Sequence, residues 1–205
     1  TKVKMGTTIT RLKQNDDGVA VTLSDGTRDV FDLVVGADGI DSKIRSHVLP
    51  KAREEYEGIT FWMFWVPKPF KLSEARYYIG HRKYVGLFPS KGRFYCALFA
   101  LPAKKHSYTK QTSTRAFLGQ KFADMGADVA QLLEHLPYEP HAFFHHDDNE
   151  VHIKRWHNGK VALIGDSAHA LSSATGMGAS LAMEDAFVLA EELKRQDSVE
   201  EALGK

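Results

Sequence analysis

Apolar and polar positions follow patterns that predict distinct elements along the chain. Residues 7–23 alternate around a turn, which predicts two short strands. Residues 33–36 and 161–165 are instead continuous apolar runs that end in glycine, a pattern typical of strands buried on both faces of a parallel sheet. A helix is predicted after each run, one starting at residues 41–42 and the other spanning 178–195 with an apolar stripe that suits packing on a core.

The middle of the chain has a different pattern, which favours an antiparallel sheet. Strand-like segments occur at 61–66, 75–79, 84–88 and 93–101. A helical stretch at 115–136 contains the interrupting Gly126, and residues 151–154 predict one more strand. Strand alternation within the aromatic run places Phe61, Met63 and Trp65 on one face and Trp62 and Phe64 on the other, and one of these sets could line a substrate pocket.

This order of elements predicts an α/β fold. A partial, discontinuous, doubly wound nucleotide-binding domain is expected from residues 1–50 and 155–205. Residues 51–154 are expected to form an inserted antiparallel-sheet substrate domain.

Composition and charge exclude some classes of partner. The 205 residues include 27 Lys and Arg and 26 Asp and Glu, so a net charge of +1 gives no electrostatic reason to expect nucleic acid or an anionic membrane. No apolar run approaches the roughly 18–20 residues of a transmembrane helix. The single cysteine, Cys96, is expected in the core; it excludes an intrachain disulfide and fits a reducing compartment, for which the cytoplasm is the expectation.

Four adjacent residues, 145–148, have side chains that bind metals: two histidines followed by two aspartates. Neighbouring positions do not converge on one ion without ligands from elsewhere. We therefore expect a solvated loop at 145–148 and no metal site.

The first motif with chemical potential follows the strand at 33–36. Gly36 and Gly39 would let the backbone approach a cofactor closely, and Asp38 could accept hydrogen bonds from ribose hydroxyls. Arg45, one turn into the next helix, could reach a phosphate with its forked donors. The local chemistry equally fits an ordinary strand-to-helix turn, with Asp38 as a helix cap and Arg45 solvated.

The second motif follows the strand at 161–165. Asp166 could hold a ribose hydroxyl, and Gly176 and Gly178 would expose backbone N–H groups where a helix starts, which makes an anion site. A glycine-rich turn capping a structural helix is the alternative. Two strand-end motifs of this kind in one chain favour cofactor binding. His169, in the same motif, is expected to have a structural hydrogen-bonding role.

The two motifs resemble the DG and GD motifs of the para-hydroxybenzoate-hydroxylase-like flavoprotein monooxygenases. The DG resemblance rests on residues 34–39 with Ser42 and Arg45, and the GD resemblance on residues 165–169 followed by 176–178 and by 184–186. The motifs come in the family's order, and the segment between them has the size of that family's substrate domain.

The resemblance implies an FAD-dependent monooxygenase in which NAD(P)H reduces bound FAD and the reduced cofactor captures dioxygen. One oxygen atom passes to an electron-rich, hydrophobic and usually aromatic substrate, and the other leaves as water. It places Asp166 near the FAD ribitol or ribose and residues 176–179 at the pyrimidine edge of the flavin ring. No general base is implied. The residues assigned to cofactor binding are Asp38, Gly39, Arg45, Gly165, Asp166, Gly176, Met177, Gly178 and Ala179.

The sequence departs from the family pattern in several places. It lacks the family's first fingerprint, Gly-x-Gly-x-x-Gly after a strand, and has Ser173, Met177 and Ser180 where members often have Pro, Gln and Asn. We therefore expect an internal fragment that lacks the N-terminal segment of the same protein and does not retain FAD alone. A same-fold flavin halogenase or reductase, or a truncated non-catalytic remnant, are the alternative functions.

Overall fold

A computed structural model describes residues 2–106 and 114–205. The chain divides into two compact units, one made of Thr1–Glu55 and Asn149–Lys205 and the other of Tyr56–Asp148. Within the described ranges, no helix is both long and apolar enough to cross a membrane.

The discontinuous unit contains two three-stranded sheets. The strands are β1 (Ile9–Asn15), β2 (Gly18–Leu23), β3 (Arg28–Phe31), β4 (Val34–Gly36), β10 (His157–Asn158) and β11 (Val161–Leu163). The first sheet has the antiparallel order β1-β2-β3, and the second has the order β10-β11-β4, in which β11 runs antiparallel to β10 and parallel to β4. The helices are α1 (Lys43–Val48), α4 (Asp166–His169), α5 (Gly178–Arg195) and α6 (Val199–Leu203).

One apolar core joins these sheets and the first helix. Its buried members are Val19, Val21, Val34, Ile44, Val48, Val161, Leu163 and Ala168. The side chain of Gln14 also links the sheets, because its Nε2 donates to the Asn158 carbonyl at 2.8 Å and its Oε1 accepts from the Lys160 N–H at 2.7 Å. Gln14 therefore joins strand β1 to the segment that connects β10 and β11.

The second unit is an antiparallel sheet with two helices. Its strands are β5 (Glu54–Pro67), β6 (Arg76–Gly80), β7 (Lys83–Pro89), β8 (Phe94–Pro102) and β9 (Phe144–Val151), in the order β6-β7-β8-β5-β9. Helices α2 (Thr114–Phe122) and α3 (Ala127–Glu134) cover one sheet face. The Phe99 and Phe122 rings, for example, meet edge to face with centroids 4.8 Å apart. Gly126, with φ of 92°, separates the two helices where the sequence predicted one interrupted stretch.

The predicted solvated loop at 145–148 is wrong, because these residues form part of strand β9. Asp147 and Asp148 are buried, and the Thr60 hydroxyl donates to Asp147 at 2.7 Å. Burial alone raises the pKa of Asp147, but hydrogen bonds from the His106 N–H and the Thr60 hydroxyl outweigh burial and lower the pKa. The predicted strand at 151–154 consequently lies earlier, ending at Val151.

Apolar positions also differ from the predicted pattern. Strand β3 was not predicted, and Val35 in β4 is 38% exposed, so this strand is not buried on both faces. Helix α5 has the predicted bounds, but Met183 and Phe187 in its apolar stripe are exposed. Cys96 is half-buried and does not lie in the core.

Candidate cofactor site

The parallel pairing of β4 and β11 brings the two sequence motifs side by side. Val34 is opposite Val161 and Gly36 is opposite Leu163, so both strands deliver their carboxyl ends to one edge of the sheet. The Ile164 N–H extends the pairing by donating to the Gly36 carbonyl at 3.0 Å. The residues that follow each strand are thereby held at the same edge.

Gly36 allows helix α1 to pack directly on the strand pair. A Cβ atom at this position would lie 2.8 Å from the Ile44 Cβ and 2.9 Å from the Leu163 Cδ2, distances that real side chains do not show. Glycine is therefore required here by close approach and not by a positive φ angle.

Asp38 caps helix α1. Its Oδ1 accepts from the Ser42 hydroxyl at 2.5 Å, and its Oδ2 accepts from the N–H groups of Lys43 and Ile44 at 2.8 and 3.1 Å. Ser42 in turn accepts from the Arg45 N–H at 2.9 Å as the N-cap residue. This network is the capping role that the sequence left open for Asp38.

Arg45 is buried and joins the two motifs, so the solvated alternative for this side chain is wrong. Its guanidinium donates to the Ile40 carbonyl at 2.5 Å and to the Ser167 carbonyl at 3.1 Å. The Ser167 hydroxyl adds a second connection, lying 2.6 Å from the Gly36 carbonyl oxygen. Arg45 thus uses its forked donors on the backbone of both motif loops.

Asp166 has the opposite environment, because its side chain is exposed at the first position of α4. Its Oδ1 lies 3.7 Å from the point where a Cβ on Gly178 would stand, so the carboxylate is beside the start of α5. Among residues 2–106 and 114–205, no hydrogen-bond or ion-pair partner is found for this carboxylate. A charged acceptor is therefore presented outward next to a helix N-terminus.

The start of α5 is open. Met177, the N-cap residue, is 53% exposed and its side chain makes no capping hydrogen bond. Gly176 precedes it in the left-handed region with φ of 63°, and a Cβ there would have no neighbour within 4 Å. Gly178 and Ala179 begin the 18-residue helix, so its first N–H groups are available to an anion.

Gly39 is similarly open, with φ of 80° and free space where a Cβ would stand. Of the predicted residues, the structure gathers Gly165, Asp166 and 176–179 around the α4–α5 junction. It connects Arg45 to them through the Ser167 carbonyl, and places Asp38 at the base of α1.

Sequence reasoning did not select Asp185 as a site residue, although the segment 184–186 had been noted. The Asp185 carboxylate accepts from the Gly165 N–H at 2.7 Å and lies 2.6 Å from the His169 Nε2. The spacing of Asp185 from Gly165 gives no local signal, because the contact depends on how α5 packs against the turn. His169 does have the hydrogen-bonding contact that was expected for it.

Comparison with known proteins places the chain among FAD binding domains. Residues 1–196 match the family model described as FAD binding domain. The chain is 34% identical over 195 residues to 2-heptyl-3-hydroxy-4(1H)-quinolone synthase of Pseudomonas aeruginosa, a match that covers 92% of this chain and 50% of the relative. It is 32% identical over 193 residues to FAD-dependent urate hydroxylase of Klebsiella oxytoca, covering 91% and 50%.

A solved structure is also similar. The crystal structure of Klebsiella pneumoniae HpxO complexed with FAD and uric acid superposes with a TM-score of 0.86 at 28% identity, covering 97% of this chain and 52% of that one. The predicted α/β fold class, with its partial FAD-binding fold, is confirmed. The chain spans about half the length of the curated relatives it matches.

Proposed function

This chain belongs to the FAD binding domain family, and from that premise we propose that the intact protein is an FAD-dependent, NAD(P)H-consuming monooxygenase. Its proposed substrate is an aromatic or other hydrophobic, electron-rich small molecule. The observation that carries the proposal is the outward-facing Asp166 carboxylate beside the open N-terminus of α5. The urate hydroxylase and the quinolone synthase among the relatives support the reaction class.

The residues present fit FAD. A dinucleotide needs acceptors for its hydroxyl groups and donors for its electron-rich atoms, and both are exposed here. Asp166 supplies an acceptor without a partner in the described ranges, and the N–H groups at Gly178 and Ala179 supply donors. Gly39 and Gly176 leave free space where a side chain would stand, so a flat or extended ligand can approach the backbone.

We assign different tasks to the cofactor-binding residues. Asp166 would accept from a ribitol or ribose hydroxyl, while residues 176–179 would donate N–H groups to the pyrimidine edge of the ring system. Asp38 and Arg45 would act by positioning, because Asp38 accepts from three donors of α1 and Arg45 donates to two backbone carbonyls. Gly39 and Gly165 would provide the turns that these contacts require.

FAD, when bound, would supply the redox chemistry, accepting hydride from NAD(P)H and activating dioxygen. The protein's own contribution is then to orient FAD and to hold the substrate away from water. The fixed N–H groups at the start of α5 would favour negative charge on the ring edge of a bound flavin. We also keep the cytoplasm as the proposed compartment, supported by the single cysteine.

We propose that residues 51–154 hold the substrate on one face of their sheet. The face carrying Trp62 and Phe64 is packed against α2 and α3. The opposite face carries a second apolar cluster built around Phe61, Leu98 and Ala100. An open pocket of about 570 Å³ lies at one end, with Tyr84 in its wall. Such an aromatic surface suits a flat, hydrophobic molecule.

Tyr84 is the polar group of this surface. Its ring meets the Phe61 ring edge to face at 6.2 Å, and its buried hydroxyl has no partner within the described ranges. Burial, reinforced by the negative charge of Asp148, raises the pKa of Tyr84 to about 12, so the phenol stays protonated at neutral pH. A neutral hydroxyl in an apolar wall can orient one polar substituent of a substrate.

The reaction class is testable with isotopically labelled dioxygen. The intact protein, expressed from its complete gene, would be incubated with NADH or NADPH and a panel of hydroxylated aromatic and heteroaromatic compounds. We expect at least one compound to accelerate NAD(P)H oxidation and to acquire one labelled oxygen atom. A protein that retains FAD, but whose NAD(P)H oxidation responds to no compound or whose product carries oxygen from water, would contradict monooxygenase activity.

A further inference from the structure

A half-buried carboxylate from helix α5, that of Asp185, reaches the loop that carries Asp166. One oxygen of Asp185, Oδ2, accepts from the Gly165 N–H at 2.7 Å and lies 2.6 Å from the His169 Nε2. The Asp185 and His169 side chains are only 12% and 15% exposed. The Gly165 N–H and the His169 ring, which lie before and after Asp166 in sequence, are thus both bound by one oxygen of α5.

Gly165 makes this contact possible by its backbone conformation. Its φ of 57° and ψ of −144° lie where residues with a Cβ are strained. A Cβ would also stand 3.0 Å from the Ala182 Cβ, so α5 packs directly against the turn. The N–H that Asp185 fixes belongs to the residue immediately before Asp166, and its orientation sets where the Asp166 side chain starts.

His169 closes the other end of the turn. Its main-chain N–H donates to the Gly165 carbonyl at 2.9 Å, while its ring contacts the Trp156 ring in a tilted arrangement, with centroids 4.6 Å apart and planes 32° apart. The ring is therefore held by Trp156 on one face and by Asp185 at Nε2. The four-residue helix α4, too short to be stable alone, is closed at both ends by contacts that converge on Asp185 and Gly165.

We propose that Asp185 is a positioning residue for cofactor binding, which acts through Gly165 and His169 to fix the direction in which Asp166 is presented. This assignment rests on the proposed function, since it takes Asp166 as a ligand of FAD. Asp185 itself is not a catalytic residue, because the oxygen that it directs to the loop is occupied by two protein groups. Its effect on the cofactor is transmitted by the backbone of residues 165–169.

The test uses the intact protein and three variants, Asp185→Ala, Asp185→Asn and Glu184→Ala. Glu184 is the adjacent residue on the same helix, and its exposed side chain makes no hydrogen bond or ion pair within the described ranges, so it is the matched control. Each apoprotein is checked by circular dichroism and its thermal midpoint is measured. FAD is then titrated, with quenching of flavin fluorescence as the signal, at a temperature where all apoproteins are folded.

If Asp185 fixes the direction of Asp166, its removal forfeits up to the whole hydrogen bond between Asp166 and FAD, so the FAD dissociation constant in Asp185→Ala should rise by up to about 10- to 100-fold. Asparagine retains an acceptor for the Gly165 N–H without the charge, and since neutral hydrogen bonds are worth about half as much, a rise of about 3- to 10-fold is expected in Asp185→Asn. Glu184→Ala should bind FAD like the unmodified protein. If the alanine variant does not fold, the asparagine variant decides the question.

The outcomes separate this inference from the proposed function. An unmodified protein that does not bind FAD contradicts the proposed function. An unmodified protein that binds FAD, together with folded Asp185 variants that bind it equally well, overturns the positioning role alone. A lower thermal midpoint without any change in FAD affinity assigns Asp185 a purely structural role and also overturns the inference.

Discussion

Replacing Asp166 by alanine should weaken FAD binding much more than it weakens folding. The side chain is exposed and has no hydrogen-bond partner in the described ranges, so folding loses no contact that it makes within the protein. Its remaining effect on stability comes from its negative charge beside the N-termini of α4 and α5, which contributes about 0.3–1 kcal/mol. We therefore expect the free energy of unfolding to fall by no more than about 1 kcal/mol.

The expected loss of FAD binding energy is larger than this loss of stability. A hydrogen bond between a carboxylate and a ribose-type hydroxyl contributes about 1.5–3 kcal/mol, so its loss should raise the FAD dissociation constant roughly 10- to 100-fold. The intact protein and the Asp166→Ala variant would be compared by FAD titration and by urea unfolding of the apoproteins. Asp197→Ala, which removes an exposed aspartate near the far end of α5, serves as the control.

The reverse pattern would contradict the assignment of Asp166 as a ligand of FAD. If Asp166→Ala retains FAD with unchanged affinity while its unfolding free energy falls by clearly more than Asp197→Ala, then Asp166 is a helix cap and not a cofactor ligand. Equal losses of FAD affinity in both variants would point to general electrostatics and would equally contradict a specific contact.

Four further substitutions test the packing within the two units. Gly36→Ala should lower the free energy of unfolding by about 1–3 kcal/mol, because the new Cβ would stand 2.8 Å from the Ile44 Cβ. An unchanged free energy of unfolding in urea would contradict this close packing. Arg45→Met should cost about 1.5–3 kcal/mol by removing two bonds from a charged donor to backbone carbonyls, seen as a lower thermal midpoint; an unshifted midpoint would contradict it. Trp62→Ala, at a buried core position, should lower the free energy of unfolding in urea by about 3–5 kcal/mol. Trp65→Ala, at a 59% exposed position, should change it by no more than about 0.5 kcal/mol. Similar losses in the two variants would contradict the sheet faces assigned to these residues.

Local sequence signals predicted the elements that depend on local chemistry. The apolar run ending at Gly165 and the glycine before Ala179 predicted a strand, a turn and a helix, and α5 has the bounds that its pattern indicated. The alternation around Phe61 and Trp62 likewise predicted which ring faces which side of the sheet. These signals suffice because side-chain period and turn chemistry act over a few residues.

Contacts between distant segments could not be read in this way. Arg45 was assigned to a phosphate or to solvent from its position in a helix, yet its guanidinium donates to the carbonyl of Ser167, 122 residues away in sequence. Asp148 was placed in a solvated loop because adjacent side chains do not converge on one metal ion, yet it is buried in β9. In each case tertiary packing supplies the partner or the burial, and no spacing along the chain encodes it.

The surroundings of helix α5 could not be predicted from its periodicity either. Its apolar stripe predicted packing on a core, but Met183 and Phe187 are 67% and 68% exposed. Periodicity specifies that one helix face is apolar and does not specify what lies against it.

The central claim is that the α4–α5 junction of this chain holds FAD, and the absorption spectrum of the intact protein tests it most directly. The protein would be purified after expression of its complete gene, scanned in the visible region, denatured, and the released nucleotide identified by chromatography. The account predicts the two visible bands of an oxidised flavin and release of FAD in equimolar amount to the protein, with much less in an Asp166→Ala preparation. A folded protein that is colourless as purified and takes up no FAD on titration would contradict the account.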